Sequence, residues 1–113
     1  MKLIIAVVRP EKLHDVKVAA TEAGAKGMTV IDVKGRGDQK GITLQSRGGS
    51  YEVEFIQKVK IEMAVNDEVA SKVIDAVVKA AHTDRGPGDG KIFVLPIEEV
   101  IRIRTGQRNG ESL

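Results

Sequence analysis

The amino-acid sequence predicts an α+β sandwich: two helices on one face of a four-stranded antiparallel sheet, with a long loop between the second and third strands. Three observations predict it. Apolar runs of strand length alternate with two stretches of helical periodicity, in the order strand, helix, strand, long loop, strand, helix, strand. The third strand alternates apolar and charged residues, as a sheet with one buried face requires. Two βαβ units in tandem, joined by an antiparallel middle pairing, make the ferredoxin-like βαββαβ arrangement. The 113 residues amount to one domain, and no stretch repeats another at the residue level.

The elements follow in order. Residues 2–8, KLIIAVV, are a continuous apolar run closed by Arg9-Pro10, which reads as a buried strand. Pro10 suits the first turn of a helix in which Leu13, Val16, Ala20 and Ala23 recur at helical spacing, and Gly24 is placed to stop it. The next strand begins near Met28, with Met28, Val30 and Asp32 on one side and Thr29, Ile31 and Val33 on the other. From about Gly37 to Phe55 the periodicity fails, and Gly, Ser, Thr and charged residues dominate, as in a long exposed loop. In residues 58–65, KVKIEMAV, Val59, Ile61, Met63 and Val65 share one face and Lys58, Lys60 and Glu62 the other. Asn66-Asp67 can cap a second helix whose Val69, Val73, Ala76, Val77 and Ala80 line up. A glycine-rich loop over 82–90 leads to a fourth strand, a bend at Pro96, a short last strand carrying Arg102 and Arg104, and a frayed tail from about 106 to 113.

The first strand is apolar on both sides, with Leu3, Ile5 and Val7 opposite Ile4, Ala6 and Val8. Helices cover one side, so other copies of the chain are expected on the second.

Composition narrows the function. Aromatics make up 3% of residues and the formal charge is +2, too little for non-specific nucleic-acid binding. The absence of cysteine excludes a disulfide framework and a thiolate zinc site. No stretch is long enough to span a bilayer or serve as a signal peptide, so a soluble cytoplasmic protein without membrane insertion is expected.

Candidate chemistry gathers in the two glycine clusters. GRGDQKG (35–41) carries Gly35, Gly37 and Gly41 around Gln39 and Lys40, where glycines let a backbone approach a ligand and turn amides toward an anion. It is not a dinucleotide fingerprint, because Lys40 stands where the third glycine belongs. RGPGDGK (85–91) sets Gly86, Gly88 and Gly90 before Lys91, but no Ser or Thr follows the lysine, so it is no Walker loop. Arg102 and Arg104, alternating on one side, could clamp phosphate oxygens or simply guard an edge strand. Lys58, Lys60 and Glu62 on a central strand need partners, a ligand or solvent. His14 and His82 share no metal-ligand spacing, and no base is paired with a Ser or Thr. Binding is expected over turnover.

Taken together, these stretches resemble the PII nitrogen-regulatory signal proteins, from Met1 to about Gly106. The resemblance rests on VKGRGDQKG with RGGSYEVEFIQKVKIE in the first half and GDGKIFVLPIEEVIRIRTG in the second. It implies a homotrimer with ATP or ADP between neighbouring subunits, and 2-oxoglutarate read together with Mg-ATP. It makes residues 37–55 the T-loop and 82–90 the B-loop. Met28, Thr29, Glu62 and Ala64 would line the nucleotide pocket with Gly35, Gly37 and Gln39. Gly88, Asp89, Gly90, Lys91, Arg102 and Arg104 would face the phosphates, one arginine crossing from a neighbour. Arg9, Gln39, Lys40, Gly41 and Lys58 would receive 2-oxoglutarate, with Gln39 on the Mg ion. Tyr51 falls where some relatives are uridylylated or adenylylated. Implied partners are an ammonium channel, a nucleotidyl-modifying transferase or a nitrogen-assimilation enzyme.

The chain departs from that pattern in several places, Ser46 and Gly49 of the long loop among them. Thr83 to Gly90 is one residue longer than usual, and Arg36 replaces a common Phe. A relative that senses adenine nucleotide alone is therefore one alternative, and a small nucleotide enzyme is another. An RNA-recognition module is rejected, because the first and third strands lack aromatics for stacking bases.

Overall fold

The computed structural model describes residues 1–37, 43–46, 48–52 and 54–113. Six strands, β1 (Lys2–Val8), β2 (Thr29–Gly35), β3 (Thr43–Ser46), β4 (Gly49–Glu52), β5 (Ile56–Val65) and β6 (Gly90–Pro96), accompany two helices, α1 (Leu13–Ala23) and α2 (Asp67–Ala81). Four strands form one sheet in the order β2-β5-β1-β6, every pair antiparallel. This is the expected ferredoxin-like α+β fold. Pro10 opens a short 3-10 turn, Pro10–Lys12, that leads the chain from β1 into α1.

Side-chain alternation places the core. Ile4, Ala6 and Val8 of β1 and Val59, Ile61, Met63 and Val65 of β5 point to the helix side. They meet Val16 and Ala20 of α1 and Ala70, Val73, Val77 and Ala81 of α2, all buried. Truncating a fully buried member such as Ile4 to Ala costs about 2–5 kcal/mol. The buried stripe of α2 is turned slightly from the expected one. Ala70 and Ala81 are buried, whereas Val69 and Ala80 only flank the core. Small side chains at those two positions let α2 lie close to the sheet.

The second sheet face follows from register, since residues directly opposite share a face. Leu3 lies between Ala64 and Leu95, Ile5 between Glu62 and Phe93, and Val7 between Lys60 and Lys91. The face is apolar along β1 and β6 and charged along β5. Phe93 is 50% exposed and Leu95 43%.

Two segments differ from expectation. Within the stretch read as a patternless loop, β3 and β4 pair as a hairpin, with Leu44 opposite Tyr51. A two-stranded ribbon is held by backbone hydrogen bonds and needs no apolar stripe, so periodicity does not announce it. Beyond Pro96 no further strand forms. Residues 101–108 fold back on themselves: the Arg102 amide donates to the Gln107 carbonyl at 2.9 Å, and Ile101 makes a single bridge to Arg108. Alternating Ile and Arg resembles a strand, but a strand needs a neighbouring backbone, and this segment finds only its own continuation. The tail is likewise structured. Asn109–Ser112 forms a 3-10 turn, and the Ser112 hydroxyl donates to the Asn109 and Val100 carbonyls at 2.6 and 3.2 Å. Among the described residues no helix is long and apolar enough to cross a membrane.

Candidate functional site

At the end of the sheet where β2 and β5 run toward the long loop, a cleft of about 320 Å³ opens. Gly35, Arg36 and Gly37 form one wall, and Ile56 and Lys58 of β5 another. Gly88, Gly90, Lys91 and Phe93 close it with Val7. Among the described residues the fold thus brings together both glycine clusters and the side chains of Arg36, Lys58 and Lys91, with no carboxylate in the described lining. Such a donor set suits a ligand carrying several negative charges.

The loop before β6 owes its shape to a network that reaches across the sequence. Arg9 is buried, its side chain 8% exposed, because β1 ends beneath the loop. Its Nε donates to Asp89 Oδ1 at 3.1 Å and its Nη2 to the Pro87 carbonyl at 3.0 Å. Lys58 Nζ donates to the Gly88 carbonyl at 2.7 Å. The Thr83 amide donates to Asp89 Oδ2 at 2.8 Å and its hydroxyl to Asp89 Oδ1, while His82 Nδ1 lies 3.5 Å from Oδ2. Arg85 donates to Glu11 at 2.7 Å on the outside of the loop.

Electrostatics follow from these contacts. The two Thr83 hydrogen bonds, assisted by Arg9, hold the Asp89 carboxyl well below the usual carboxylate range. Burial pushes the Lys58 ammonium below its usual value, and the like charge of Arg9 adds to this. An anion arriving beside Lys58 would relieve that repulsion and favour its charged form.

Gly90 has a steric reason to be glycine. Its φ is +108°, and a Cβ there would lie 1.7 Å from the Val7 carbonyl oxygen. Gly88, at φ +111°, turns the chain just before it. Gly35 and Gly37 have no such constraint: a Cβ on Gly35 would meet Lys58 Cγ at an ordinary 3.7 Å, and one on Gly37 would meet nothing within 4 Å.

Of the sequence-predicted residues, Gly35, Gly37, Lys58, Gly88, Gly90 and Lys91 line the cleft, and Arg9 and Asp89 brace it. Gln39, Lys40 and Gly41 lie outside the described residues. Tyr51 belongs to β4. Met28 packs against the core at the entrance to β2. Thr29, Glu62 and Ala64 share the second sheet face farther along β5, away from the cleft. Arg102 and Arg104 lie in the C-terminal fold-back, where Arg102 donates to the Ser112 carbonyl from Nε and Nη2 at 3.2 and 3.1 Å. Within one chain they do not form the expected side-by-side clamp on a strand.

Sequence reasoning missed Thr83, Glu11 and Phe93. Glu11 acts through Arg85, far away in sequence, and Thr83 through Asp89 within one loop that has no periodic pattern to reveal the contact. Phe93 had a signal in being one of two Phe in an aromatic-poor chain.

The fold is ferredoxin-like, with a cleft lined by glycine backbone and cationic side chains. The family model for Nitrogen regulatory protein P-II matches residues 1–107. Nitrogen regulatory protein P-II of Azospirillum brasilense is 51% identical over 113 residues, covering all of both chains. Its namesakes from Nostoc punctiforme and Microchaete diplosiphon are each 50% identical over the same full length. The chain belongs to the nitrogen regulatory protein P-II family.

Proposed function

We propose that this protein senses ATP or ADP together with 2-oxoglutarate and regulates nitrogen-metabolism targets through its T-loop. The observation that carries the reading is the cleft, which gathers Lys58, Lys91 and glycine backbone at the neck of the β3–β4 hairpin. Its cations and amides fit the phosphates of a nucleotide. Asp89 is engaged by Thr83 and Arg9, and among the described residues no group of three or more His, Asp or Glu side chains could hold a metal ion. A Mg ion would be held by Gln39 and by the ligands' own oxygens, and would supply charge neutralisation between triphosphate and effector.

The apolar second sheet face supports assembly of copies into a homotrimer, with Leu3, Ile5, Phe93 and Leu95 buried between subunits. Thr29, Glu62, Ala64, Arg102 and Arg104 would then complete nucleotide sites shared between neighbours. Lys58 would exchange its hydrogen bond to the Gly88 carbonyl for an effector carboxylate. Each ligand would favour one T-loop conformation, and each conformation a different target, such as an ammonium channel, a modifying transferase acting at Tyr51 or a biosynthetic enzyme. This reading places the protein in the cytoplasm.

Calorimetric titration of 2-oxoglutarate with and without Mg-ATP tests the reading. Binding only with Mg-ATP is expected. Nucleotide binding without any 2-oxoglutarate response would reduce the protein to an energy sensor, and no nucleotide binding would sink the proposal. Lys58→Ala should abolish 2-oxoglutarate binding and largely spare ATP, and equal loss of both would show the effector assignment to be wrong.

A further inference from the structure

Arg36 is a cleft-lining cation that the functional reading leaves without a task. It follows directly on β2, and Glu54 lies two residues ahead of β5, so the pair spans the neck diagonally, just beyond the last register pairing, Gly35 with Ile56. The contact is loose: Nη1 lies 3.4 Å from Glu54 Oε1, and both side chains are about two-thirds exposed, at 65% and 68%. Arg9 contrasts with it, being buried and fixed by Asp89 and the Pro87 carbonyl. An exposed pair of this kind is worth little, and a better-placed oxyanion displaces its carboxylate. The guanidinium offers a planar fork of donors that matches two oxygens of a phosphate or carboxylate.

We infer that Arg36 is a specificity-determining contact of the cleft, which exchanges Glu54 for an oxyanion of the bound ligand. Glu54 is the internal competitor, and it acts through Arg36. The inference rests on the cleft being an anion site, as in the proposed function. It does not depend on whether the oxyanion belongs to the triphosphate of a nucleotide or to the carboxylate of 2-oxoglutarate.

The test is calorimetry on the full chain and on Arg36→Gln, Glu54→Gln and the double variant, with three probes: inorganic tripolyphosphate, ATP, and 2-oxoglutarate in the presence of Mg-ATP. Arg36→Gln should weaken tripolyphosphate binding by about three- to fivefold, and Glu54→Gln should strengthen it by a similar factor. The double variant should match Arg36→Gln alone, because Glu54 has nothing left to compete for. Parallel changes with ATP assign the phosphate as the ligand group, and changes with 2-oxoglutarate alone assign the carboxylate. An Arg36→Gln variant that binds tripolyphosphate, ATP and 2-oxoglutarate as the parent does overturns the inference. So does a Glu54→Gln gain that persists in the double variant, since it would come from net charge alone. Wild-type protein that binds tripolyphosphate with the expected variant pattern, but neither ATP nor 2-oxoglutarate, sinks the functional reading and leaves this one standing.

Discussion

The two glycine clusters face each other across one cleft, yet they are glycine for different reasons. In the cluster before β6, Gly88 and Gly90 adopt left-handed backbone, and Gly90 passes so close to β1 that no side chain fits. In the cluster after β2, neither Gly35 nor Gly37 takes such a conformation, and the space beyond Gly37 is open. The first cluster is required by the chain's own packing. Among the described residues nothing imposes a comparable requirement on Gly35 or Gly37. Similar composition thus hides a steric constraint on one wall that the described glycines of the other wall lack.

The largest test of this contrast is Gly90→Ala. A Cβ driven into the Val7 carbonyl at positive φ should cost about 3 kcal/mol or more and loosen the β1–β6 pairing. Urea denaturation reads it, and a loss under about 1 kcal/mol would remove the steric half of the comparison.

A smaller effect is expected from Asp89→Asn, which weakens the hold of Thr83 and Arg9 on the loop. Because the folded-state pKa of Asp89 is depressed, its contribution to stability is present above the ordinary carboxylate range. It is lost as pH falls through about 4 toward the folded value. Thermal melts from neutral to acid pH should therefore show a shallower acid limb in Asp89→Asn than in the parent. Identical limbs would mean the carboxylate contributes nothing to loop docking.

The smallest change in stability belongs to Gly37→Ala. With an ordinary backbone and empty surroundings it should shift stability by no more than about 0.5 kcal/mol, and reduced unfolded-chain freedom could make the shift favourable. ATP affinity should fall nonetheless. Unchanged affinity would return Gly37 to the status of a simple loop residue.

What the sequence disclosed was whatever repeats locally. Val59, Ile61, Met63 and Val65 announced β5, and Val16 with Ala20 announced α1. The same alternation misled at Ile101 to Arg104, because pattern records which faces differ and not whether a partner strand exists. The β3–β4 hairpin left no periodic trace. Half of the cleft was legible in the glycines, Lys58 and Lys91, since motif residues stay close in sequence. Its bracing was not: Arg9 meets Asp89 eighty residues away, and Thr83 gave no sign that it would hold that carboxylate.

Two of the long-range tethers of the loop before β6, from Arg9 Nη2 and from Lys58, end on main-chain oxygens, those of Pro87 and Gly88. Every residue type supplies such an oxygen. The hydrogen bond at position 87 is therefore indifferent to the side chain displayed there, whereas Gly88 is held to glycine by its left-handed backbone. Substitution at position 87 can alter the loop's outer surface without untying it. The loop is in this sense a mount with interchangeable facing, in which new surface chemistry can be tried while the floor of the cleft keeps its shape.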